Sequence, residues 1–164
     1  METVNQVQEF GPKELRFAQL LGMPAFMIAH LDSVADPIEV ELVVRLGEGG
    51  LTVPQVAEAL QMPLEEATEL LERAFCREVV NREEKDGETI YTVATFFRRM
   101  DVMGTFETEA WNRLPAEVLG LADQWYSKAY AEHWQEAIDQ IKIDPDHLPR
   151  HIGGSKNFSG PGKP

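Results

Sequence analysis

The sequence predicts a mainly α-helical protein that contains one small β-hairpin. Over most of its 164 residues, apolar side chains recur every three or four positions, which is the spacing of helices that bury one face. Residues 79–93 differ, because two short β-prone runs flank a polar turn at residues 85–87, as in a hairpin. We divide the chain into four regions in order, residues 1–35, 36–100, 101–143 and 144–164.

The first region, residues 1–35, is expected to form a helical cover over the core of the next. Residues 15–21 have helical periodicity, and the glycine and proline in residues 22–24 end that helix. A second short apolar segment follows and contains Phe26, Met27, Ile28 and Leu31. These apolar side chains are what a covering segment needs in order to pack on a core.

Three helices and the hairpin are predicted within residues 36–100. Asp36 is the expected N-cap of the first helix. Pro37 occupies its first turn, where proline costs no hydrogen bond that the helix makes. The glycines in residues 47–50 end this helix.

The second and third helices are joined by a tight turn. Thr52 is the expected cap of a short helix over residues 53–60. Residues 61–63 then turn the chain into the third helix, which starts at Pro63 or Leu64.

The third helix is predicted to have one apolar and one acidic face. Positions at the spacing of a buried stripe are Leu64, Ala67, Leu70, Leu71, Ala74 and Phe75. The outward positions are Glu65, Glu66, Glu69 and Glu72, with Arg73 as the only base among them. Residues 36–94 carry 14 acidic and five basic side chains, in a chain of net charge −13. Because DNA is held largely by Lys and Arg contacts with phosphate, this surface disfavours DNA binding.

One helix broken near Gly104 and one long helix opened by Pro115 are predicted for residues 101–143. The long helix has a wide apolar stripe whose aromatic members we take as candidates for protein contact: Trp125, Tyr126, Tyr130 and Trp134. This stripe either closes over its own domain or forms part of a dimer or partner surface. Residues 144–164 have the Gly, Pro and Ser content of a loop and flexible tail.

Arg98 and Arg99 follow Phe96 and Phe97 in the only cluster that is both basic and aromatic. Such a cluster is either an anchor for a phosphate or an acidic partner, or a set of ion pairs within the chain. We favour the second alternative, because acidic residues outnumber basic ones by 28 to 15. Both arginines remain candidates for an interaction site.

No catalytic residue, cofactor site or metal site is assigned from the sequence. The single cysteine, Cys76, excludes an internal disulfide, and we expect a buried structural thiol. Two carboxylates and two imidazoles of metal-binding type occur close together, at Asp144, Asp146, His147 and His151, with His133 upstream. Prolines between them disfavour a helical arrangement, so no metal site is expected. Without a leader or a membrane span, the chain is expected to be cytoplasmic.

The stretch PIEVELVVRLGEGGLTVPQVAEALQMPLEEATELLERAFCREVV, together with the hairpin, resembles the winged helix-turn-helix of MarR-like and ArsR-like regulators. With GMPAFMIAHLDSVAD before it and LPAEVLGLADQWYSKAYAEHW after it, the likeness extends over residues 20–135. This larger part resembles the winged-helix region that precedes the cluster-binding part of anaerobe 4Fe-4S ferredoxin-type proteins. Such clusters are bound by several cysteines, and here only Cys76 is present. The resemblance implies a winged-helix domain over residues 36–100, without the electron carrier.

Taken together, these features predict a non-catalytic winged-helix module for protein interaction. We expect an accessory or regulatory subunit that binds a protein partner or a second copy of the chain. The resemblance implies that the complex it belongs to is a redox complex. The alternative is a dimeric transcriptional regulator that binds DNA through the hairpin and the Arg98-Arg99 pair despite its acidic third helix.

Overall fold

The computed structural model describes residues 10–143, and it is mainly helical with one antiparallel hairpin, as predicted. The contacts of the described residues form two compact units, which divide between Leu121 and Ala122. The predicted tail, residues 144–164, lies outside the described residues. The helices are α1 (Pro12–Leu21), α2 (Leu31–Val34), α3 (Pro37–Leu46), α4 (Val53–Leu60), α5 (Leu64–Cys76), α6 (Phe96–Thr105), α7 (Thr108–Asn112) and α8 (Ala116–Ile143). The strands are β1 (Val80–Lys85) and β2 (Glu88–Val93), and a 3-10 helix covers Ala25–His30.

Helix α1 packs against α3 and buries Phe17, Ala18 and Leu21. The predicted helix at residues 15–21 is confirmed, although α1 begins earlier, at Pro12. Lys13 Nζ lies 2.7 Å from Glu41 on α3. Hydrogen bonds from Lys13 and then Arg45 hold the pKa of Glu41 below its ordinary value.

The predicted caps of α3 and α4 are both present. Asp36 Oδ1 accepts from the Glu39 amide at 2.9 Å, and Glu39 Oε2 accepts from the Asp36 amide at 3.0 Å. At the start of α4 the Thr52 amide donates to Gln55 Oε1 at 2.9 Å. These reciprocal bonds satisfy backbone donors that a helix start leaves without partners.

Helix α5 follows its predicted phase over most of its length. Ala67, Leu70, Leu71 and Ala74 are buried, whereas all four glutamates of the predicted acidic face are exposed. Leu64 was wrongly placed in the buried stripe, since it is 55% exposed. It is the first residue of α5, and the elements that cover the later turns do not cover this one.

The hairpin turns tightly at Asp86 and Gly87, whose φ angles of 54° and 83° suit the turn that matches strand twist. Leu51, between α3 and α4, pairs with Tyr91 of β2 through two backbone hydrogen bonds of 2.9 and 2.8 Å. Gly50 permits this approach, because a Cβ there would lie 2.7 Å from the Tyr91 carbonyl oxygen. The base of the hairpin is thereby joined to the helices.

The predicted break near Gly104 lies two residues later, since α6 ends at Thr105 and α7 begins at Thr108. Helix α8 follows Pro115, as expected, and runs for 28 residues. No helix within residues 10–143 has both the length and the apolar character needed to cross a membrane.

Candidate functional site

Arg99 lies in the interior of the first unit. Its side chain is 0% exposed, and its Nε donates to the Val34 carbonyl at 2.7 Å. Its Nη1 and Nη2 donate to Glu107 at 3.1 and 2.5 Å, and Nη1 also donates to the Arg77 carbonyl at 3.2 Å. A guanidinium this deeply buried needs such partners to offset its lost hydration. The Arg99 side chain therefore offers no exposed surface to a partner.

Glu107 connects Arg99 to a second arginine. Its Oε1 and Oε2 accept from Arg77 Nε and Nη2 at 2.9 and 3.2 Å, so one carboxylate is shared by two guanidinium groups. Burial alone raises the pKa of Glu107, but hydrogen bonds from Arg77 and Arg99 outweigh it and hold the pKa below the ordinary value. Burial lowers the pKa of Arg99.

Glu39 completes this buried ion network of Glu39, Arg77, Arg99 and Glu107. Its side chain is fully buried, and its Oε2 accepts from Arg77 Nη1 at 2.5 Å. Its Oε1 has no hydrogen-bond partner among the described residues. Burial raises the pKa of Glu39, and the Asp36 amide and the Arg77 charge do not fully offset it. The network links α3, α6 and the ends of α5 and α7 through paired charges, and we assign it a structural role.

Opposite pKa shifts at Glu39 and Glu107 give an expected pH dependence. Glu107, with its lowered pKa, contributes stability above the ordinary glutamate pKa of 4.5, and this is lost as the pH falls below it. Glu39, with its raised pKa, binds its proton more tightly in the folded than in the unfolded state, so this contribution to stability is lost as the pH rises from 4.5 through its folded pKa. Urea unfolding between pH 4 and 8 measures the free energy of unfolding. Glu39→Gln is expected to remove the loss of stability with rising pH, whereas Glu107→Gln is expected to retain it. An unchanged pH profile in Glu39→Gln would contradict the assignment.

Arg98, the residue before Arg99 on α6, does not belong to this buried network. Its side chain is 42% exposed, and Nη2 lies 2.7 Å from Glu78 Oε1. Both arginines of the basic and aromatic cluster thus pair with carboxylates of the same chain. The structure favours the intramolecular alternative over a phosphate anchor.

The outer face of α5 carries three carboxylates that have no ion-pair partner within residues 10–143. Glu65, Glu66 and Glu69 are exposed and make no hydrogen bond or ion pair with any residue in the range 10–143. Glu72 differs, because Arg82 Nη1 lies 3.0 Å and the Tyr91 hydroxyl 3.1 Å from its Oε1. The negative charge of this face is therefore concentrated on its first two turns.

A surface groove of about 240 Å³ lies beside these carboxylates, between α3 and α5. Its apolar residues are Ile38, Met62 and Leu70, and its charged residues are Glu66, Glu69 and Arg73. Arg73 Nη2 lies 3.4 Å from Asp36 Oδ2, so the one base in the groove has an acidic partner. We call this the α3–α5 groove.

In the second unit, three aromatic rings form a row along α8. The ring centroids of Tyr126 and Tyr130 are 6.1 Å apart, and those of Tyr130 and Trp134 are 5.9 Å apart. Tyr130 is 46% exposed, whereas Tyr126, Trp134 and the neighbouring Trp125 are half-buried. All four predicted aromatic candidates thus retain some exposed surface.

Cys76 and the metal-type residues give no site. Cys76 is exposed, and the prediction of a buried thiol is wrong, because residue 76 falls off the stripe defined by Ala67, Leu70, Leu71 and Ala74. Asp144, Asp146, His147 and His151 lie outside the described residues. Within the described part of the chain, no three His, Cys, Asp or Glu side chains are grouped to hold a metal ion.

Sequence reasoning missed three members of the buried ion network. Glu39 has a local signal, the spacing from Asp36 that predicts a capping box, but this spacing does not predict its burial. Arg77 and Glu107 have no local signal, since they meet across 30 residues.

Comparison of the chain with protein-family models, curated proteins and solved structures finds no match.

Proposed function

We propose that this chain is a non-catalytic module for protein interaction with a winged helix-turn-helix core. The order of α3, α4, α5 and the hairpin supports the winged-helix assignment, as does the attachment of the hairpin at Leu51. Its role is that of an accessory or regulatory subunit. A redox complex as its host stays a prediction from the sequence resemblance.

The outer face of α5 is the observation that carries this proposal. In a winged helix this third helix is the one that contacts DNA, and here Glu65, Glu66 and Glu69 are exposed on it. Two arginines next to the hairpin do not compensate, because Arg98 pairs with Glu78 and Arg99 is buried. A surface of this charge repels the phosphate backbone and suits a protein partner.

Weak or absent binding of duplex DNA is the first expected result. Fluorescence anisotropy with labelled random duplexes at about 50 mM salt favours detection, because phosphate contacts weaken steeply as salt rises. The wild type is expected not to bind. A Glu65→Lys, Glu69→Lys variant is expected to gain salt-sensitive binding. Tight, sequence-selective binding by the wild type at physiological salt would instead support the dimeric regulator.

The aromatic row of α8 supports protein contact, because Tyr and Trp combine a large apolar face with a hydrogen-bonding edge. We expect the wild type to have a solution mass above that of one 18.5 kDa chain, and a Tyr130→Glu, Trp134→Glu variant to have the mass of a monomer. Light scattering after gel filtration measures both. A Leu15→Glu, Phe106→Glu variant is the control, since both side chains are exposed apolar groups elsewhere. A monomeric wild type would show that the row does not join two copies.

A further inference from the structure

The α3–α5 groove combines apolar residues with negative charge that has no partner within the described residues. Ile38 is 37% exposed and Met62 is half-buried, so the groove offers apolar surface to solvent. Glu66 and Glu69 stand beside this surface. Apolar contact area and charge are thus available at the same place.

The dimensions of the groove suit a protein segment better than an enclosed small molecule. Its volume of about 240 Å³ is below the range of roughly 300–1,000 Å³ that pockets for small molecules occupy. It follows α5 from Glu66 to Arg73, which is two helical turns, or about 10 Å at 1.5 Å per residue. Two turns accommodate apolar anchors spaced as on one face of a second helix.

The charges select among possible segments. Arg73 within the groove disfavours a lone metal cation, and the glutamates disfavour nucleic acid. A second copy of this chain is a poor source, because only Lys85 and Arg113 among its described lysines and arginines are exposed and have no acidic partner. The other described bases are paired, for example Arg82 with Glu72 and Lys142 with Asp139. A different protein with unpaired basic side chains fits better.

We infer that the α3–α5 groove binds a basic amphipathic helix of another protein. The apolar face of that helix packs on Ile38 and Met62, and its Lys or Arg side chains pair with Glu66 and Glu69. This inference rests on the proposed function and names the chemistry of the partner. The aromatic row of α8 is a separate surface, and its association does not depend on the groove.

The test titrates the ¹⁵N-labelled full chain with a synthetic helical peptide whose apolar face is Leu and whose other positions are Lys. A peptide of the same pattern with Glu in place of Lys is the matched control. The basic peptide is expected to shift amide signals at the groove, around Ile38, Met62, Glu66 and Leu70, and the acidic peptide to shift none. Shifts spread evenly over the acidic surface would overturn the inference.

Two charge-reversed variants separate the groove from net charge. Glu66→Lys, Glu69→Lys is expected to weaken binding of the basic peptide by at least about tenfold, since two attractive pairs become repulsive. Glu83→Lys, Glu88→Lys changes the net charge equally at exposed hairpin positions, and is expected to weaken it far less. The amide spectra report whether both variants remain folded. Equal weakening by both would contradict the inference.

A parallel titration with duplex DNA distinguishes failure of this inference from failure of the proposed function. If the basic peptide does not bind at the groove and the chain does not bind DNA, the inference of a helical partner is wrong, but the proposed protein-interaction function is not contradicted. Wild-type binding of DNA at the same groove residues would overturn both.

Discussion

Arg99→Ala is expected to lower the free energy of unfolding by about 3–5 kcal/mol, the cost of removing one partner from a buried ion pair. The substitution removes the guanidinium group of α6 that donates hydrogen bonds to Glu107 and to the Val34 carbonyl. It also leaves a cavity where a fully buried side chain stood. Urea unfolding followed by circular dichroism measures the change.

The adjacent residue supplies the control. Arg98→Ala removes a half-exposed pair with Glu78, and its expected cost is below about 1 kcal/mol. The two substitutions remove the same side chain at neighbouring positions of one helix. Similar losses from both would show that Arg99 is not the buried member of the pair.

Leu71→Ala is expected to cost about 2–5 kcal/mol, because a fully buried leucine leaves a cavity that its neighbours refill only in part. Leu64→Ala changes the same side chain on the same helix where it is 55% exposed, and the expected cost is well below that range. Glu69→Ala, at an exposed position, is expected to change stability by less than about 0.5 kcal/mol. Thermal melts of the three variants compare them directly, and equal losses would mean that the helical phase of α5 is misassigned.

Local signals explain why much of the fold was predictable. Asp36 before Pro37, Thr52 three residues before Gln55, and Asp86-Gly87 between two β-prone runs each specify a cap or a turn within a few residues. Helix ends are harder to predict. Leu64 continues the apolar spacing of α5 although neighbouring elements do not cover the first turn, and periodicity does not contain that information.

Some residues of the candidate site could likewise be predicted from local signals, and others could not. The glutamates of α5 were predicted as outward-facing, because the apolar stripe fixes the phase of the helix. The interior position of Arg99 was not predicted. Adjacent residues on a helix point about 100° apart, and only the distant partners of Arg99 decide which of the two arginines is buried. Val34 lies 65 residues away, and it belongs to a segment that the sequence identified only as an apolar cover.

The attachment of β2 limits which part of the hairpin can adapt to a partner. Tyr91 is held by its neighbour in β1 on one edge and by Leu51 on the other, and its hydroxyl reaches Glu72 on α5. The base of the hairpin is therefore fixed to the helices, and only the part beyond Glu83 and Ile90 lacks such attachments. That part has two residue pairs, Glu84 with Thr89 and Lys85 with Glu88, so any adjustment to a bound surface is confined to the tip of the hairpin.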